Sequence, residues 1–560
     1  MNKFDPLFKL HFYKLSTAVL LIGLGGGISS YLFHEIIHWA TVRLHTFETF
    51  TFTTYAYALA LAFLSYFLTQ KYFNGTNGSG IPQVKLAIVT KKGSMLKRMT
   101  LGKFITSALS LCSGLSFGKE GPLVAISAAW GHLISHMFKL NPKITKILVS
   151  SGATAGLAAA FNAPIAAVVF TIEEILGELN TKYLGPIIVT SVLASFTSYT
   201  LMGGKSTFIS SSHEFHIEWH LILYLVLGLL MSLVGFLFTK LILSLKEIRK
   251  RYFKKLDYLY IGIVVTLVAI ASNFSKEVLG DGISTINQIL SGAEINSFTF
   301  LLVLFVLKLC LTSASYSTGL SGGLFMPVIF LGAIGGSAYA GFLTEIGIAQ
   351  IEVDAFALIG MTSLLVAVIR TPFTAFLMLF EMTRDYELIL PLMFSSITAY
   401  LVSNMINPSS VYESVAEYED VHLPIQSDNE CLHEVSVDEC MIKDVVTLSL
   451  QDSSDKIKDL TKESDYRWFP VLNFNKLLGV VSKYDLDKAL GSEEEWDLRG
   501  LVKNQMISIH SDQNLIIALD RMKKFDINLI PVVSRYNSKQ LLGIISMSDI
   551  FEYFRLNKNI

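Results

Sequence analysis

The chain is poor in charged residues and in cysteine. Charged side chains make up only 16% of its 560 residues, whereas 52% are hydrophobic, and the mean hydropathy is +0.50. This composition is too apolar for a soluble globular protein of this size. The net charge is −1 and no basic domain stands out, which argues against binding to nucleic acid. The four cysteines form no CxxC pair, so we expect neither a disulfide framework nor a zinc ribbon.

Apolar segments recur along the first part of the chain, up to about residue 405. The first of them, residues 15–40, is too long for a signal peptide and is predicted to be retained as a span. Other segments are short or interrupted by glycine and proline, notably 78–90, 163–174 and 280–290. Such interruptions are typical of helices whose ends are buried in protein rather than exposed to lipid. The pattern predicts a helical protein that crosses a membrane many times.

Basic clusters indicate which side of the membrane faces the cytoplasm. One cluster lies within residues 91–98 and a stronger one within residues 246–255. The loop 203–220 carries only Lys205 as a lysine or arginine, so it is predicted to be external.

The membrane part also repeats itself. Two related halves, about 15–202 and 218–405, are predicted, with a transport site at their interface. The aligned pairs are Ser113–Pro122 with Thr318–Pro327, Gly78–Gly80 with Gly280–Gly282, and Gly152–Glu173 with Gly360–Glu381.

The run Gly118–Pro122 (GKEGP) places Glu120 at a predicted helix start inside apolar sequence. A carboxylate there is costly unless it faces an aqueous or ion-filled cavity, so it indicates an ion pathway. Two further Gly-rich runs, Gly78–Pro82 (GSGIP) and Gly322–Pro327 (GGLFMP), lie elsewhere in the chain. Helix starts of this kind expose backbone N–H groups and partial positive charge, and several that converge can hold a dehydrated anion.

With these motifs, residues 1–415 resemble the CLC family of chloride channels and transporters. The resemblance extends to the runs Phe380–Asp385 and Pro408–Glu413. It implies an all-α polytopic fold, built as an inverted repeat from many broken and tilted helices. It also implies a homodimer in membrane lipid with one pore per subunit. The N-terminus is expected in the cytoplasm, and the membrane is the inner one if the source is bacterial.

The resemblance assigns chloride binding to two hydroxyl groups and two backbone amides. These are the hydroxyls of Ser79 and Tyr412 and the amides of Leu324 and Phe325. Serine at position 79 favours chloride over nitrate, and the intact motif disfavours the fluoride-exporting branch. Glu120 is the gating carboxylate, which occupies an anion site when ionised and swings away when protonated. Plainer interpretations stay open: Ser79 as a turn or cap residue, Glu120 as a helix-start acid, and Tyr412 as an aromatic at the membrane interface.

Glu174 decides between two modes of transport. In the family, exchangers commonly carry an acid at this position that relays protons from the cytoplasm, while channels often carry an apolar residue. The resemblance therefore implies a chloride/proton antiporter, with a passive gated chloride channel on the same fold as the alternative. Glu174 could also be an ion-pair partner near the membrane surface. Glu173, whose repeat partner is Glu381, is expected to be structural.

The run His34–His38 matches the HExxH pattern of zinc proteases, with both histidines on one helical face. A protease would also need a third ligand on another segment. The tempting partner, Asp281, is already explained by the internal repeat. An intramembrane zinc protease is therefore kept only as an alternative, and no metal ligand is predicted.

The tail, about residues 436–556, is polar and carries its own duplication. Phe469–Val471 matches Ile530–Val532, and Gly479–Asp485 matches Gly543–Asp549. These patterns resemble a tandem pair of CBS modules, which associate through their sheets into a cytoplasmic α/β unit. The expected boundaries are a linker at 416–435 and modules at 436–490 and 500–560.

The resemblance to CBS modules also implies an adenine nucleotide as a ligand of the tail. The residues that would contact it are Ser482, Asp485, Ser546 and Asp549. The alternative is a pair of modules that binds nothing and braces a dimer. Transport itself requires no cofactor, and the protein is not expected to be an enzyme.

Overall fold

The structure is a computed structural model of the chain. Contacts between residues divide it into two compact units, Met1–Leu423 and Pro424–Ile560. The residues that the structure describes are 6–45, 51–89, 93–96, 98–177, 181–204, 208, 220–291, 298–348, 352–419, 435–463, 468–474, 476–491, 496–502, 507–525, 527–534, 537 and 539–557.

The first unit is built from helices and the loops that join them. In its first half these are α1 (Pro6–His45), α2 (Phe52–Lys71), α3 (Ile81–Val89), α4 (Met99–Cys112), α5 (Glu120–Met137), α6 (Pro142–Phe161), α7 (Pro164–Phe170), a π-helix (Thr171–Leu176) and α8 (Thr181–Leu201). In the second half they are α9 (His220–Tyr252), α10 (Asp257–Ser272), a 3₁₀ turn (Lys276–Val278), α11 (Ile283–Leu290), α12 (Phe298–Ser317), α13 (Phe325–Glu345), α14 (Val353–Ile369), α15 (Pro372–Thr383), α16 (Ile389–Ile406) and α17 (Val411–Tyr418).

Eight segments within the described residues are long and apolar enough to cross a membrane. Shorter apolar helices, among them α4, α10, α14 and α15, lie between them. The hydrocarbon core of a bilayer is about 30 Å thick, and a helix of about 20 residues crosses it. The predicted helical fold with many membrane spans is confirmed.

The segments predicted to be short or interrupted form short helices. α3 has 9 residues and α11 has 8, so neither is long enough to cross a bilayer. α7 has 7 residues and is followed directly by the π-helix. Pro164 lies in the first turn of α7, where its missing N–H leaves no hydrogen bond unmade. The predicted first span, residues 15–40, corresponds to an apolar segment at Tyr13–Ala40, and α1, which contains it, extends beyond it at both ends.

Corresponding places in the two halves have the same local geometry. α6 ends at Asn162 in the left-handed conformation, with a φ of 54°, and α7 begins at Pro164. α14 ends at Arg370, also left-handed with a φ of 72°, and α15 begins at Pro372. Two helix-to-helix turns of one form at aligned positions agree with the repeat seen in the sequence.

Glycines let two pairs of helices pack backbone against backbone. A Cβ atom on Gly152 of α6 would lie 2.2 Å from the carbonyl oxygen of Ser127 in α5. A Cβ atom on Gly336 of α13 would lie 2.1 Å from the carbonyl oxygen of Phe356 in α14. Contacts that short do not occur, so a larger residue would push the helices apart. These close pairs hold α5 and α13 at matching positions in the two halves.

The second unit contains two three-stranded sheets. In each sheet the first strand pairs in parallel with the second, which pairs antiparallel with the third. Its elements are α18 (Val437–Cys440), β1 (Leu448–Ser449), α19 (Ser454–Glu463), β2 (Trp468–Asn473), β3 (Lys476–Ser482), α20 (Lys483–Leu490), α21 (Leu498–Leu501), β4 (Ile509–His510), α22 (Leu515–Phe525), β5 (Leu529–Val533), β6 (Leu541–Ser546) and α23 (Met547–Asn557). The predicted α/β character of the tail is confirmed.

The start of the second unit packs on its later sheet. Val437 and Cys440 belong to the same hydrophobic core as Ile509 of β4. Ile442 pairs with Ile544 of β6 through backbone hydrogen bonds of 2.9 and 3.0 Å. The first residues of the tail therefore pack on the sheet formed by β4, β5 and β6, although they come before β1 in the sequence.

Several predicted features lie outside the described residues. They include most of the predicted external loop, most of the linker, part of the first basic cluster and one cysteine. These are residues 205–207, 209–219 and 420–434, with Lys91, Lys92, Lys97 and Cys431.

Candidate functional site

The loops that carry the three Gly-rich motifs are joined by backbone hydrogen bonds. Gly118 and Gly323 exchange a pair of bonds, each 2.8 Å long. The amide of Gly78 donates to the carbonyl oxygen of Leu320 at 3.1 Å, and the Gly78 carbonyl oxygen accepts from Gly322 at 3.0 Å. Because α3, α5 and α13 begin directly after these loops, the bonds bring three helix N-termini from both halves to one place.

Two fully buried lysines hold equivalent loops in the two halves. Lys103 of α4 donates to the carbonyl oxygen of Gly78 at 2.6 Å. Lys308 of α12 donates to the carbonyl oxygen of Gly280 at 2.8 Å. A buried ammonium is tolerated only when oxygen atoms surround it, and here loop carbonyls supply them. In each half a lysine thus fixes the loop that precedes a short helix, α3 or α11.

The absence of a side chain at Gly121 lets Ser79 approach the first turn of α5. A Cβ atom on Gly121 would lie 2.4 Å from Ser79 Oγ and 3.3 Å from the Cα atom of Gly323. Ser79 is 1% exposed, and its hydroxyl has no hydrogen-bond partner among the described residues. A serine that served only as a helix cap would bond to a backbone amide. The buried, unpartnered hydroxyl therefore argues against that plainer interpretation.

Several polar atoms at this place are buried without hydrogen-bond partners within the described part of the chain. They are Ser79 Oγ, both carboxylate oxygens of Glu120, and Tyr412 Oη. Ser79 Oγ lies against the first turn of α5, which Glu120 begins, and Tyr412 is close enough to interact with both Ser79 and Glu120. Buried polar groups are nearly always hydrogen-bonded in folded proteins. A cluster of two hydroxyls and a carboxylate that lack such bonds is therefore a candidate binding site for a ligand.

Glu120 is the first residue of α5 and is completely buried. Its carboxylate lies near the backbone amides of Glu120 and Met326, in the first turns of α5 and α13, although at longer than normal hydrogen-bond geometry. A Cβ atom on Gly118 would lie 2.4 Å from Glu120 Oε2, so the side chain folds back over the start of its own helix. The partial positive charge of two helix N-termini stabilises a negative group at this position.

Leu324 and Phe325 form the start of α13, as N-cap and first helical residue. The N–H groups of a first helical turn have no partner within the helix, so they can bind an anion. Both side chains are completely buried. The ring of Phe325 packs on those of Phe161 and Phe170, with centroids 5.4 and 5.6 Å away. These ring contacts pack the start of α13 against the ends of α6 and α7.

A capping box fixes Tyr412 at the start of α17. The hydroxyl of Ser410 accepts from the Glu413 amide at 3.2 Å, and the Glu413 carboxylate accepts from the Ser410 amide at 3.0 Å. Tyr412 lies inside this turn and is completely buried. It is therefore not an aromatic residue at the membrane interface.

Glu174 lies in the π-helix and is buried. Its carboxylate accepts from Lys85 of α3 at 3.2 Å, and the same ammonium donates to Glu413 at 3.2 Å. Glu174 is thus an ion-pair partner, as the plainer interpretation held, and the pair is buried within the protein. It also interacts electrostatically with Tyr412. π-Helical turns are rare and occur often at functional sites.

The neighbouring acid, Glu173, faces the other way and makes a reciprocal contact between the halves. Its carboxylate accepts from the Thr374 amide at 2.9 Å, at the start of α15. Glu381 of α15 accepts in turn from the Ala166 amide at 2.7 Å, at the start of α7. Glu173 thus caps α15, which carries Glu381. Glu381 in turn caps α7, which leads into the π-helix that carries Glu173. Glu173 has the structural role expected for it.

A cavity of about 90 Å³ leads from Ser79 toward the protein surface. Its walls include Gln83, Tyr316, Lys246 and Glu419. Lys246 and Glu419 form an ion pair with an N–O distance of 2.5 Å. Lys246 also precedes the basic end of α9, which was predicted to face the cytoplasm. The cavity therefore opens on the side of the basic cluster.

The histidines of the HExxH pattern do not converge on a metal site. Nδ1 of His34 lies 2.9 Å from Nζ of Lys119, and the rings of His34 and His38 are parallel with centroids 6.1 Å apart. Within the described ranges, no group of three or more His, Cys, Asp or Glu residues could hold a metal ion. His34 instead contacts the lysine that precedes Glu120.

The predicted nucleotide-contacting residues of the tail cap helices. Ser482 Oγ accepts from the Asp485 amide at 3.1 Å and donates to the Asp485 carboxylate at 2.6 Å. Ser546 and Asp549 make the same bonds at 3.3 and 2.7 Å. Each pair therefore stabilises the start of α20 or α23. These contacts hold the side chains in place without a ligand.

Reasoning from the sequence missed Lys85, Lys103, Lys308 and Glu413. A signal existed for three of them, because a single lysine inside an apolar helix is costly and is usually functional or paired. Lys103 and Lys308 also follow aligned motifs of the two halves. Glu413 carried a capping-box signal with Ser410, but nothing in the sequence indicated its bond to Lys85.

Comparisons with known proteins agree with this geometry. Residues 61–404 match the family model described as "Voltage gated chloride channel", and residues 437–492 and 498–556 each match that of the CBS domain.

The chain is similar to two curated proteins named H(+)/Cl(−) exchange transporter ClcA. The protein of Vibrio cholerae serotype O1 is 28% identical over 431 residues, covering 74% of this chain and 91% of the relative. That of Vibrio campbellii is 31% identical over 368 residues, covering 64% of this chain and 77% of the relative. Among solved structures, a slow cyanobacterial Cl−/H+ antiporter aligns with a TM-score of 0.66 at 25% identity, covering 72% of this chain and 98% of that chain.

Proposed function

The chain belongs to the voltage-gated chloride channel family and carries a pair of CBS domains, and from this premise we propose that it exchanges chloride for protons across a membrane. One observation carries the proposal: beside the starts of α5 and α13, the buried polar atoms of Ser79, Glu120 and Tyr412 have no hydrogen-bond partner among the residues that the structure describes. The names of the relatives, H(+)/Cl(−) exchange transporter and Cl−/H+ antiporter, support the direction of the proposal.

Chloride is proposed to bind between the hydroxyls of Ser79 and Tyr412 and the amides of Leu324 and Phe325. Hydroxyls and helix N-termini attract an anion without a full positive charge. Of the lysines near the motif loops, Lys103 binds carbonyl oxygens, and Lys119 contacts His34 while its charge also acts on Glu120. A site built in this way holds chloride firmly enough to select it and loosely enough to release it.

Glu120 is proposed to compete with chloride for the helix starts. When ionised, its carboxylate lies over the first turns of α5 and α13, where an anion would also bind. When protonated, it loses this attraction and the position becomes available to chloride. One titrating side chain thus couples the movement of a proton to that of an anion.

Glu174 is proposed to carry protons between Glu120 and the cytoplasm. It is buried in the π-helix and interacts electrostatically with Tyr412. Lys85 supports this role, because its ammonium binds both the Glu174 carboxylate and Glu413, the acid that caps α17. The acid that takes up protons and the helix that presents Tyr412 are therefore tied together.

A passive, gated chloride channel on the same fold is the second candidate. The observation in its favour is the ion pair between Glu174 and Lys85, which gives the acid a structural task that needs no proton transfer. No geometry favours the intramembrane zinc protease, and it is not proposed.

Several further features are proposed from family membership and charge. The protein is expected to form a homodimer, with the N-terminus and CBS modules in the cytoplasm and, if bacterial, in the inner membrane. The basic end of α9 supports this orientation. We propose a membrane domain at 1–415, a linker at 416–435 and modules at 436–490 and 500–560; the family matches at 61–404, 437–492 and 498–556 support this division. An adenine nucleotide between the CBS modules is proposed as a regulatory ligand, near Asp485 and Asp549.

Purified protein in lipid vesicles tests the function. An imposed chloride gradient is expected to drive protons against their own gradient, and chloride flux without proton movement would establish the channel instead. Glu174→Gln is expected to stop proton movement while chloride still crosses. Glu173→Gln is the matched control, because it changes the adjacent acid of the same π-helix, which faces α15. Equal proton flux in both variants would remove Glu174 from the relay.

A further inference from the structure

Tyr316 is a buried tyrosine near the end of α12, outside the motifs that identified the site. It is 3% exposed, and its hydroxyl points toward the loop before α3. A Cβ atom on Gly78 would lie 3.9 Å from Tyr316 Oη, and the same hydroxyl interacts with the backbone amide of Ser79. Tyr316 also interacts with Tyr412. Its hydroxyl therefore lies beside the two hydroxyls already placed at the anion site.

The ring of Tyr316 lines the cavity that leads from Ser79 toward the surface. Nζ of Lys246 lies 5.8 Å from the centre of this ring, within the range of a cation–π contact. Lys246 also lines the cavity, and its own ion pair with Glu419 keeps its ammonium near the ring. Tyr316 thus has its ring in the cavity wall and its hydroxyl at the buried end.

Ser79 and Tyr316 both line the cavity, so an anion bound at its Ser79 end would lie close to Tyr316. A phenol can accept one hydrogen bond and donate another, so contact with the Ser79 amide leaves its proton available to chloride. A hydrogen bond from a neutral hydroxyl to an anion is stronger than one between neutral groups. Loss of that hydroxyl alone would remove a donor while leaving the ring in the wall.

We infer that Tyr316 is a third hydroxyl of the chloride site and binds the anion at the end nearest the cavity, together with Ser79. This rests on the proposed function, since it adds a residue to the same site. It makes the passage between cavity and site polar on the side of α12 as well as on the side of α3.

Tyr316→Phe tests the inference, because it removes only the hydroxyl. Binding of chloride to the purified full-length protein is measured by titration calorimetry, and chloride and proton fluxes are measured in vesicles. The dissociation constant is expected to rise about tenfold, as for loss of one hydrogen bond to a charged group. The number of protons moved per chloride is expected to stay the same, since Tyr316 holds the anion and takes no part in proton transfer.

Tyr260→Phe is the matched control. Tyr260 is buried nearby, and its hydroxyl bonds to Ser317 Oγ at 2.6 Å without lining the cavity. This variant is expected to bind chloride as the wild type does. An equal loss of affinity in both variants would mean that any buried hydroxyl of this region matters for packing, and it would overturn the inference.

A double-mutant cycle with Ser79→Ala tests whether the two hydroxyls share one ion. When two residues bind the same ion, the double variant loses less affinity than the product of the losses in the two single variants. Normal chloride affinity in Tyr316→Phe, or losses that multiply fully in the double variant, would overturn the inference. If the wild type binds no chloride and carries none, the proposed function fails first. If the wild type transports chloride and only Ser79→Ala weakens binding, the proposed function stands and Tyr316 is excluded from the chloride site.

Discussion

Replacing Lys85 by methionine removes a cation that binds both Glu174 and Glu413. Both carboxylates lie 3.2 Å from its Nζ atom, and the Lys85 and Glu174 side chains are only 11% and 6% exposed. Removing one partner of a buried ion pair costs about 3–5 kcal/mol, because the remaining charge is left buried and unpaired. Here two acids lose the same partner, so we expect a loss of stability at or above the lower end of that range.

The loss should depend on pH in a definite direction. Without the ammonium, the two carboxylates repel each other whenever both carry a charge. At acidic pH a bound proton removes that repulsion. The difference in thermal unfolding midpoint between Lys85→Met and the wild type is therefore expected to grow from pH 5 to pH 8, measured on detergent-solubilised protein.

Lys246→Met is the control for this experiment. Its partner, Glu419, is 39% exposed, and an ion pair that is open to water contributes about 0–1 kcal/mol. A small, pH-independent shift is expected for this variant. If Lys85→Met and Lys246→Met lowered the unfolding midpoint equally at both pH values, the buried ion pairs of Lys85 would not stabilise the protein as proposed.

Three other predictions follow from contacts in the two units. Glu120→Gln is expected to abolish proton movement while chloride flux continues, because the amide cannot titrate; persistent coupling in vesicles would exclude Glu120 as the gate. Glu381→Ala is expected to destabilise the membrane unit by about 1–3 kcal/mol, since it leaves two amides at the start of α7 unbonded, one of them on the buried Ala166, and an unchanged unfolding midpoint would contradict this. Ser546→Ala removes the cap of α23 and is expected to cost about 1 kcal/mol in the CBS unit, with the exposed Ser548→Ala as control; equal unfolding of the two variants would refute the capping role.

The positions of the helix starts could be read from the sequence. Glycine and proline around Glu120 and Phe325 predicted where α5 and α13 begin, and the interrupted segments became α3, α7 and α11. These features are local, because proline is tolerated in a first helical turn and glycine permits the preceding bend.

Contacts between distant residues could not be predicted in this way. The bonds between Gly118 and Gly323 join the two halves, and nothing near either glycine specifies its partner. The internal repeat indicated that the loops correspond, but correspondence does not imply contact. The ion pairs of Lys85 were missed for the same reason, because its acids lie on α17 and on the π-helix.

The role of Glu174 shows where reasoning from residue type reached its limit. An acid at this position predicted a proton relay or an ion pair, and the structure places it in an ion pair inside the protein. The two roles are compatible, because a carboxylate held by one ammonium can still exchange a proton with water. Only the fluxes of the Glu174→Gln variant separate them.

The central claim is that an anion binds where the buried hydroxyls of Ser79 and Tyr412 meet the starts of α5 and α13. The most direct measurement is the anomalous scattering of bromide in crystals of the protein, since bromide replaces chloride and can be located by its signal. A bromide peak within hydrogen-bond reach of Ser79 Oγ and Tyr412 Oη is the predicted result. Bromide elsewhere in the protein, with no peak between these hydroxyls, would contradict the account.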